Sequence, residues 1–162
     1  MASFSNQTKT EICGAVKSQE DRRAFLTGVL LAVHRFSADE IALQTECEAF
    51  AVLFPKLLKA AGTDPALLDT EYRQRSGKLP LWCYTLSGRS RVKALCEALG
   101  ISHNRRTDAL RTVAQNSRQQ MLLSAGVFVM CGSITDPERD YHLELALPDA
   151  LFGVAFQEML AQ

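Results

Sequence analysis

The side chains of this sequence able to do chemistry fall into three sets: five cysteines, three histidines, and a band of arginine and lysine between residues 71 and 111. Cys13, Cys47, Cys83, Cys96 and Cys131 are odd in number and widely scattered, with no Cys-x-x-Cys pair and no histidine at zinc-site spacing. They read as reduced, cytosolic thiols, not as a metal or disulfide framework. His34, His103 and His142 have no serine, cysteine or carboxylate at a spacing that identifies a catalytic group. The basic band says more. Arg73, Arg75, Lys78, Arg89, Arg91, Lys93, Arg105, Arg106 and Arg111 are nine cations against three acids, Glu71, Glu97 and Asp108, in a chain whose formal net charge is zero. Such a local surplus can attract phosphate backbones although the whole molecule is neutral. A solvated surface is the plain alternative.

These residues need a scaffold, and 162 residues at 47% hydrophobic and 22% charged are enough to bury a core without staples. Residues 24–33 are apolar nearly all round at helical length, which predicts a buried central helix. Residues 40–46 alternate as a strand, and 48–61 resume helical spacing with Gly62 as the stop. Two further strands, 67–75 and 79–86, flank Ser76-Gly77-Lys78 as a hairpin, and a helix from Ser87-Gly88 runs to Leu99 with Gly100 ending it. Residues 101–119 are polar and predict a linker with at most one short helix. The pattern then restarts: an apolar helix at 121–131, a turn at Asp136-Pro137-Glu138-Arg139, a strand at 141–147 and an amphipathic helix at 148–160. The order of elements thus repeats at a spacing suited to a duplicated half-domain. The longest apolar stretches fall short of a membrane span, and the N-terminus lacks the apolar core of a signal peptide, so the chain is expected in the cytoplasm with no membrane partner.

The two central helices carry one motif. Leu26-Thr27-Gly28-Val29-Leu30-Leu31-Ala32-Val33-His34 and Ser124-Ala125-Gly126-Val127-Phe128-Val129-Met130-Cys131-Gly132 both place glycine third in an apolar nonapeptide. A mid-helix glycine costs up to about 1 kcal/mol relative to alanine and is repaid by close backbone approach, so Gly28 and Gly126 are the predicted helix interface. The nonapeptide resembles the LAGLIDADG homing-endonuclease motif, whose paired helices each deliver a metal-holding carboxylate from the eighth position. Here those positions are Val33 and Cys131. Neither supplies the hard oxygen ligand that magnesium requires, so the resemblance implies the scaffold without the nuclease, no catalytic residue, no metal and no cofactor.

Gly132-Ser133-Ile134, Asp136-Pro137-Glu138 and Tyr141-His142-Leu143-Glu144-Leu145 resemble the corresponding stretch of the WhiA family, as do Ser3-Phe4-Ser5, residues 23–31, Thr45-Glu46 and Glu48. Where such proteins often carry paired cysteines before both central helices, this chain has Asp21-Arg22 and Ser117-Arg118. The resemblance implies an α+β, LAGLIDADG homing-endonuclease-like fold of two αββα-type half-domains: residues 1–100 as the first half, 101–119 as linker, and 120–162 as an incomplete second half, without the C-terminal helix-turn-helix. It also implies a catalytically inactive module of a DNA-binding transcription regulator of sporulation or cell division, cytoplasmic and nucleoid-associated.

In the resembled fold the open face of the sheet is a DNA-binding saddle. Arg73 and Arg75, two apart in a predicted strand, would then share that face, with Lys78 in the adjoining turn. Arg89, Arg91 and Lys93 crowd a helix start, where the macrodipole disfavours cations and a bound phosphate would explain them. The expected partner is double-stranded DNA, bound weakly by this domain alone, with a homodimer or another transcription-regulator partner possible because an unfinished sheet leaves an open edge. Two alternatives stand beside this reading: a protein-interaction or dimerisation scaffold without DNA binding, and a nuclease using other carboxylates such as Glu46 or Glu144.

Overall fold

The structure is a computed structural model, and it describes residues 3–112 and 115–162. Residues 113 and 114 of the expected linker, and residues 1 and 2, lie outside the described residues. Helix α1 (Phe4–Ala15) leads to α2 (Gln19–Ala32), β1 (Arg35–Phe36), β2 (Glu40–Thr45), α3 (Glu48–Ala60), β3 (Asp69–Arg73), β4 (Leu81–Ser87) and α4 (Arg89–Leu99). Then come α5 (Arg106–Thr112), α6 (Ser117–Cys131), β5 (Gly132–Ile134), β6 (Leu143–Leu145) and α7 (Ala150–Leu160). Local chemistry sets these boundaries. The side chains of Ser3, Ser18, Asn116 and Asp149 each accept the amide three residues on, capping α1, α2, α6 and α7. Gly100, at φ 70°, closes α4 in the left-handed region that a side chain would strain.

The first sheet runs β1-β2-β4-β3, all antiparallel, and the second pairs β5 with β6. Thus α6, β5, β6 and α7 repeat the order α2, β1, β2, α3. The copies differ at the strand connection: residues 37–39 join β1 to β2, whereas 135–142 join β5 to β6. Two sequence expectations are corrected, and one helix is added to them. A helix, α1, occupies the polar N-terminus, laid against α3 and α6. The strand expected over 67–75 spans only 69–73, so Arg75 falls outside it. The strand expected over 141–147 is confined to 143–145.

Helix α2 is the centre of the core, with Phe25, Leu26, Val29, Leu30, Leu31 and Ala32 sealed from solvent. It crosses α6 backbone to backbone. A Cβ placed on Gly28 would lie 1.9 Å from the carbonyl oxygen of Leu123, and one on Gly126 would lie 2.2 Å from that of Phe25. Each glycine therefore faces the carbonyl three residues before the other glycine, as a pseudo-twofold axis through the crossing requires.

Charged side chains hold both ends of α2. At the N-terminal end Arg118 reaches Asp21 with two hydrogen bonds, Nε to Oδ1 at 3.0 Å and Nη2 to Oδ2 at 2.5 Å, so the positions where the resembled proteins often carry cysteines hold an ion pair. The acidic partner sits in the first turn of α2, where the helix dipole favours it. At the other end Arg106 of α5 is buried and donates to the carbonyls of Leu31 (3.3 Å) and Val33 (2.5 Å), satisfying groups that the end of α2 leaves without helical partners. Its guanidinium also lies 5.0 Å from the Phe36 ring.

Three outcomes follow. Gly28→Ala and Gly126→Ala each force the helices apart and should cost about 3 kcal/mol in urea unfolding. Gly14→Ala in α1, where nothing lies within 4 Å of the new methyl, should be neutral or stabilising. The Arg118 guanidinium holds the Asp21 carboxyl below its ordinary range. Its folded value is the lower one, so the ion pair stabilises fully above the ordinary carboxylate range and is lost as pH falls through the lowered value. Urea midpoints taken from about pH 7 down to about pH 3 should therefore fall less steeply for Asp21→Asn than for the parent chain.

Candidate nucleic-acid interface

Strand alternation decides which side chains reach the open face of the first sheet. Ile41, Leu43, Tyr84 and Leu86 turn to the helices and are buried. Arg35, Glu40, Ala42, Gln44, Cys83, Thr85, Asp69, Glu71 and Arg73 occupy the opposite face by register. The ends of the two central helices meet this face across a cleft of about 660 Å³, lined among others by Val33, His34, Arg35, Glu71, Arg73 and Cys131. The imidazole Nε2 of His34 lies 2.8 Å from the carbonyl oxygen of Ala146, joining the first copy to the second.

The cations on this face are paired within it. Arg73 donates to both oxygens of Glu71, at 2.8 and 2.9 Å, and Arg35 reaches Glu40 at 2.7 Å. The pairing draws the Glu71 carboxyl down and pushes the Arg73 guanidinium up. With Asp69 also on the face, the saddle carries no cationic surplus from these strands. A groove that attracts phosphates needs uncompensated charge, and pairing removes most of the long-range field.

The other basic candidates, Lys78 excepted, are also engaged. Arg75 and Arg73 do not share a face as expected: β3 ends at Arg73, and the Arg75 guanidinium turns back to the Leu79 carbonyl and to Glu46, at 2.7 and 3.0 Å. Lys78 stands exposed in the β3–β4 turn. At the start of α4, Arg89 pairs with Asp39 of the β1–β2 turn at 3.0 Å, so the anion that this crowding of cations calls for is supplied from inside the chain. Arg91 bonds the Ser87 carbonyl at 3.5 Å, and Lys93 lies 4.0 Å from Glu97 one turn on.

At the helix ends, Val33 caps α2 and Cys131 closes α6. The Cys131 thiol donates to the Val127 carbonyl at 3.2 Å, and burial raises its pKa to about 11, which keeps it a neutral thiol. Among the described residues no group of three or more His, Cys, Asp or Glu is arranged to hold a metal ion. Of the alternative carboxylates, Glu46 is ion-paired with Arg75, and Glu144 lies 3.0 Å from the His142 imidazole. The structure does bring together two cysteines that look unrelated in sequence. Cys13 of α1 meets Cys47 at the N-terminus of α3, and the hydrogen bond from Cys13 is the main cause that holds the Cys47 thiol below its ordinary range. Their separation in the chain left no signal for that contact.

Residues 120–162 match the family model of the WhiA LAGLIDADG-like domain. In fold the chain is similar to the N-terminal LAGLIDADG domain of DUF199/WhiA, with a TM-score of 0.72 at 17% identity, covering 99% of this chain and 74% of that one. It is similar to full-length DUF199/WhiA from "Thermatoga maritima" at a TM-score of 0.68 and 18% identity, covering 98% of this chain. The chain spans about half the length of that full-length protein (50%). No curated protein matches it by sequence. The α+β, LAGLIDADG-like fold read from the paired nonapeptides thus holds across the chain, and the likeness to WhiA is carried in sequence by residues 120–162, the second copy.

Proposed function

We propose that this chain is the catalytically inactive LAGLIDADG-like module of a WhiA-type transcription regulator, acting at the nucleoid in sporulation or cell division and touching duplex DNA weakly. The observation that carries the reading is the composition of the cleft at the helix ends. Val33 and Cys131 line it at the positions where the resembled nucleases present carboxylates, and Glu71, the carboxylate lining it among the described residues, is held by Arg73. A valine and a neutral, half-buried thiol offer magnesium no ligand, so neither position can hold a metal to activate a water there.

The pairing of Arg73 with Glu71 favours a second reading, in which the module serves as a protein-interaction scaffold and leaves DNA to another part of the regulator. The two readings separate on one pair of variants. If the saddle touches phosphate, Glu71→Gln frees Arg73, tightens binding to a fluorescent duplex several-fold at low salt, and steepens the salt dependence by about one phosphate contact. Arg73→Glu weakens binding correspondingly. Anisotropy unchanged by both variants removes the DNA contact and leaves the scaffold. Plasmid incubated with the protein and magnesium or manganese should stay intact, and cleavage abolished by chelation would overturn the inactive module altogether.

A further inference from the structure

Helix α1 touches both copies of the fold. Near its start the Ser5 hydroxyl accepts from the Ile134 amide at 2.6 Å and donates to the Ile134 carbonyl at 3.2 Å, on β5 of the second copy. Its contact with the first copy centres on Cys47. The Asn6 amide group donates to the Glu46 carbonyl at 3.3 Å, the Thr10 hydroxyl lies 3.7 Å from the Cys47 sulfur, and one turn further on Cys13 hydrogen-bonds that same sulfur. The backbone of Cys47 is held from its other side: its amide donates to the Thr45 hydroxyl at 3.0 Å, and its carbonyl accepts from the Ala51 amide at 3.0 Å. Two thiols distant in sequence are thus pressed together between α1 and the start of α3.

The two thiols are not equivalent. Cys47 is the residue on which α3 begins, where free amides and the helix dipole favour a negative sulfur, and the half-buried Lys9 ammonium lies near it. The hydrogen bond that Cys13 donates to Cys47, and then burial, keep the Cys13 thiol protonated. Each thiol opens on a cleft. Cys47, 3% exposed, lines one of about 390 Å³ with Ser5 and Lys9, and Cys13, 6% exposed, lines another of about 850 Å³ with Thr10 and Trp82. Such small openings suit an oxidant of two oxygen atoms.

We infer that Cys13 and Cys47 are a site of oxidation by peroxide, closing as a disulfide between α1 and the start of α3. The Cys47 thiolate attacks one oxygen of hydrogen peroxide. The O–O bond breaks, the sulfur keeps that oxygen as a sulfenic acid, and the other oxygen leaves as hydroxide and takes up a proton to become water. The Cys13 sulfur then attacks the sulfenic sulfur, the S–O bond breaks, and the hydroxyl departs with the Cys13 proton as a second water. Two electrons pass from the thiols to the peroxide, and no other reactant is needed. Closure turns a hydrogen-bonded contact into a bond of about 2 Å. It makes residues 13–47 a covalent loop containing α2, β1 and β2, and fixes α1, with its grip on β5, to the first copy.

The test treats the reduced 162-residue chain with equimolar hydrogen peroxide at about pH 7, denatures it in N-ethylmaleimide, and reads intact mass and peptide map. One intramolecular disulfide joining Cys13 to Cys47 is expected, with Cys83, Cys96 and Cys131 capped, and it should form at least about tenfold faster than any disulfide in the urea-unfolded chain. Oxidation should raise Tm by several degrees, and dithiothreitol should reverse the rise. Cys13→Ser should leave Cys47 one oxygen heavier, and Cys47→Ser should leave Cys13 reduced. The map of the parent chain decides the matter even where a variant fails to fold. Peroxide consumed first by another cysteine, a disulfide of other connectivity, a rate no faster than in the unfolded chain, or a Tm not raised by oxidation would each overturn the proposal.

Discussion

Two glycines without side chains govern this molecule. Because Gly28 and Gly126 have no Cβ, α2 and α6 approach until each backbone rests on a carbonyl of the other, and everything else is placed relative to that contact. The closeness leaves the outer faces of both helices free to carry apolar side chains into the core. It sets the two sheets on one side of the crossing and the capped N-termini on the other. It also explains why the ties at the two ends come from charged groups with long reach. Arg118 of α6 spans the gap to Asp21 of α2, and Arg106 ties α5 to the carbonyls at the far end of α2.

Charge is spent inside this structure. Three guanidinium groups of the basic band that stands out in the sequence are matched by carboxylates of the same chain: Arg75 by Glu46, Arg89 by Asp39, and Arg73 by Glu71 on its own strand. Exposed pairs of this kind contribute little stability one by one. Their larger effect is on the field, since a face whose cations are matched presents short-range donors and acceptors in place of a steering potential.

The elements that were legible in sequence are those whose burial writes a period. The apolar runs of α2 and α6, the spacing of α3 and α7 and the alternation of β2 and β4 each report a covered face. Helix α1 has only Cys13 buried, so it leaves no such trace, and β1 and β5, at two and three residues, are too short to show one. The glycine crossing was legible because a mid-helix glycine has a cost that only close approach repays. The fate of the arginines was not. Arg118 lies 97 residues from Asp21 and Arg89 lies 50 from Asp39, and no local pattern links such partners. Arg106, read as part of a polar linker, is buried because the end of α2 has carbonyls to satisfy.

The unequal strand connections have a consequence for anything laid across the saddle. A twofold scaffold ordinarily suits a palindrome, since each half meets the same surface. Here residues 37–39 make a tight turn in one copy. Residues 135–142 make a longer loop in the other, bearing Asp136, Glu138 and Asp140 around a single arginine, Arg139. A partner that runs the length of the face meets a short blunt end first and a long acidic one last. The surface therefore has a direction, and reversing the partner would not give an equivalent complex.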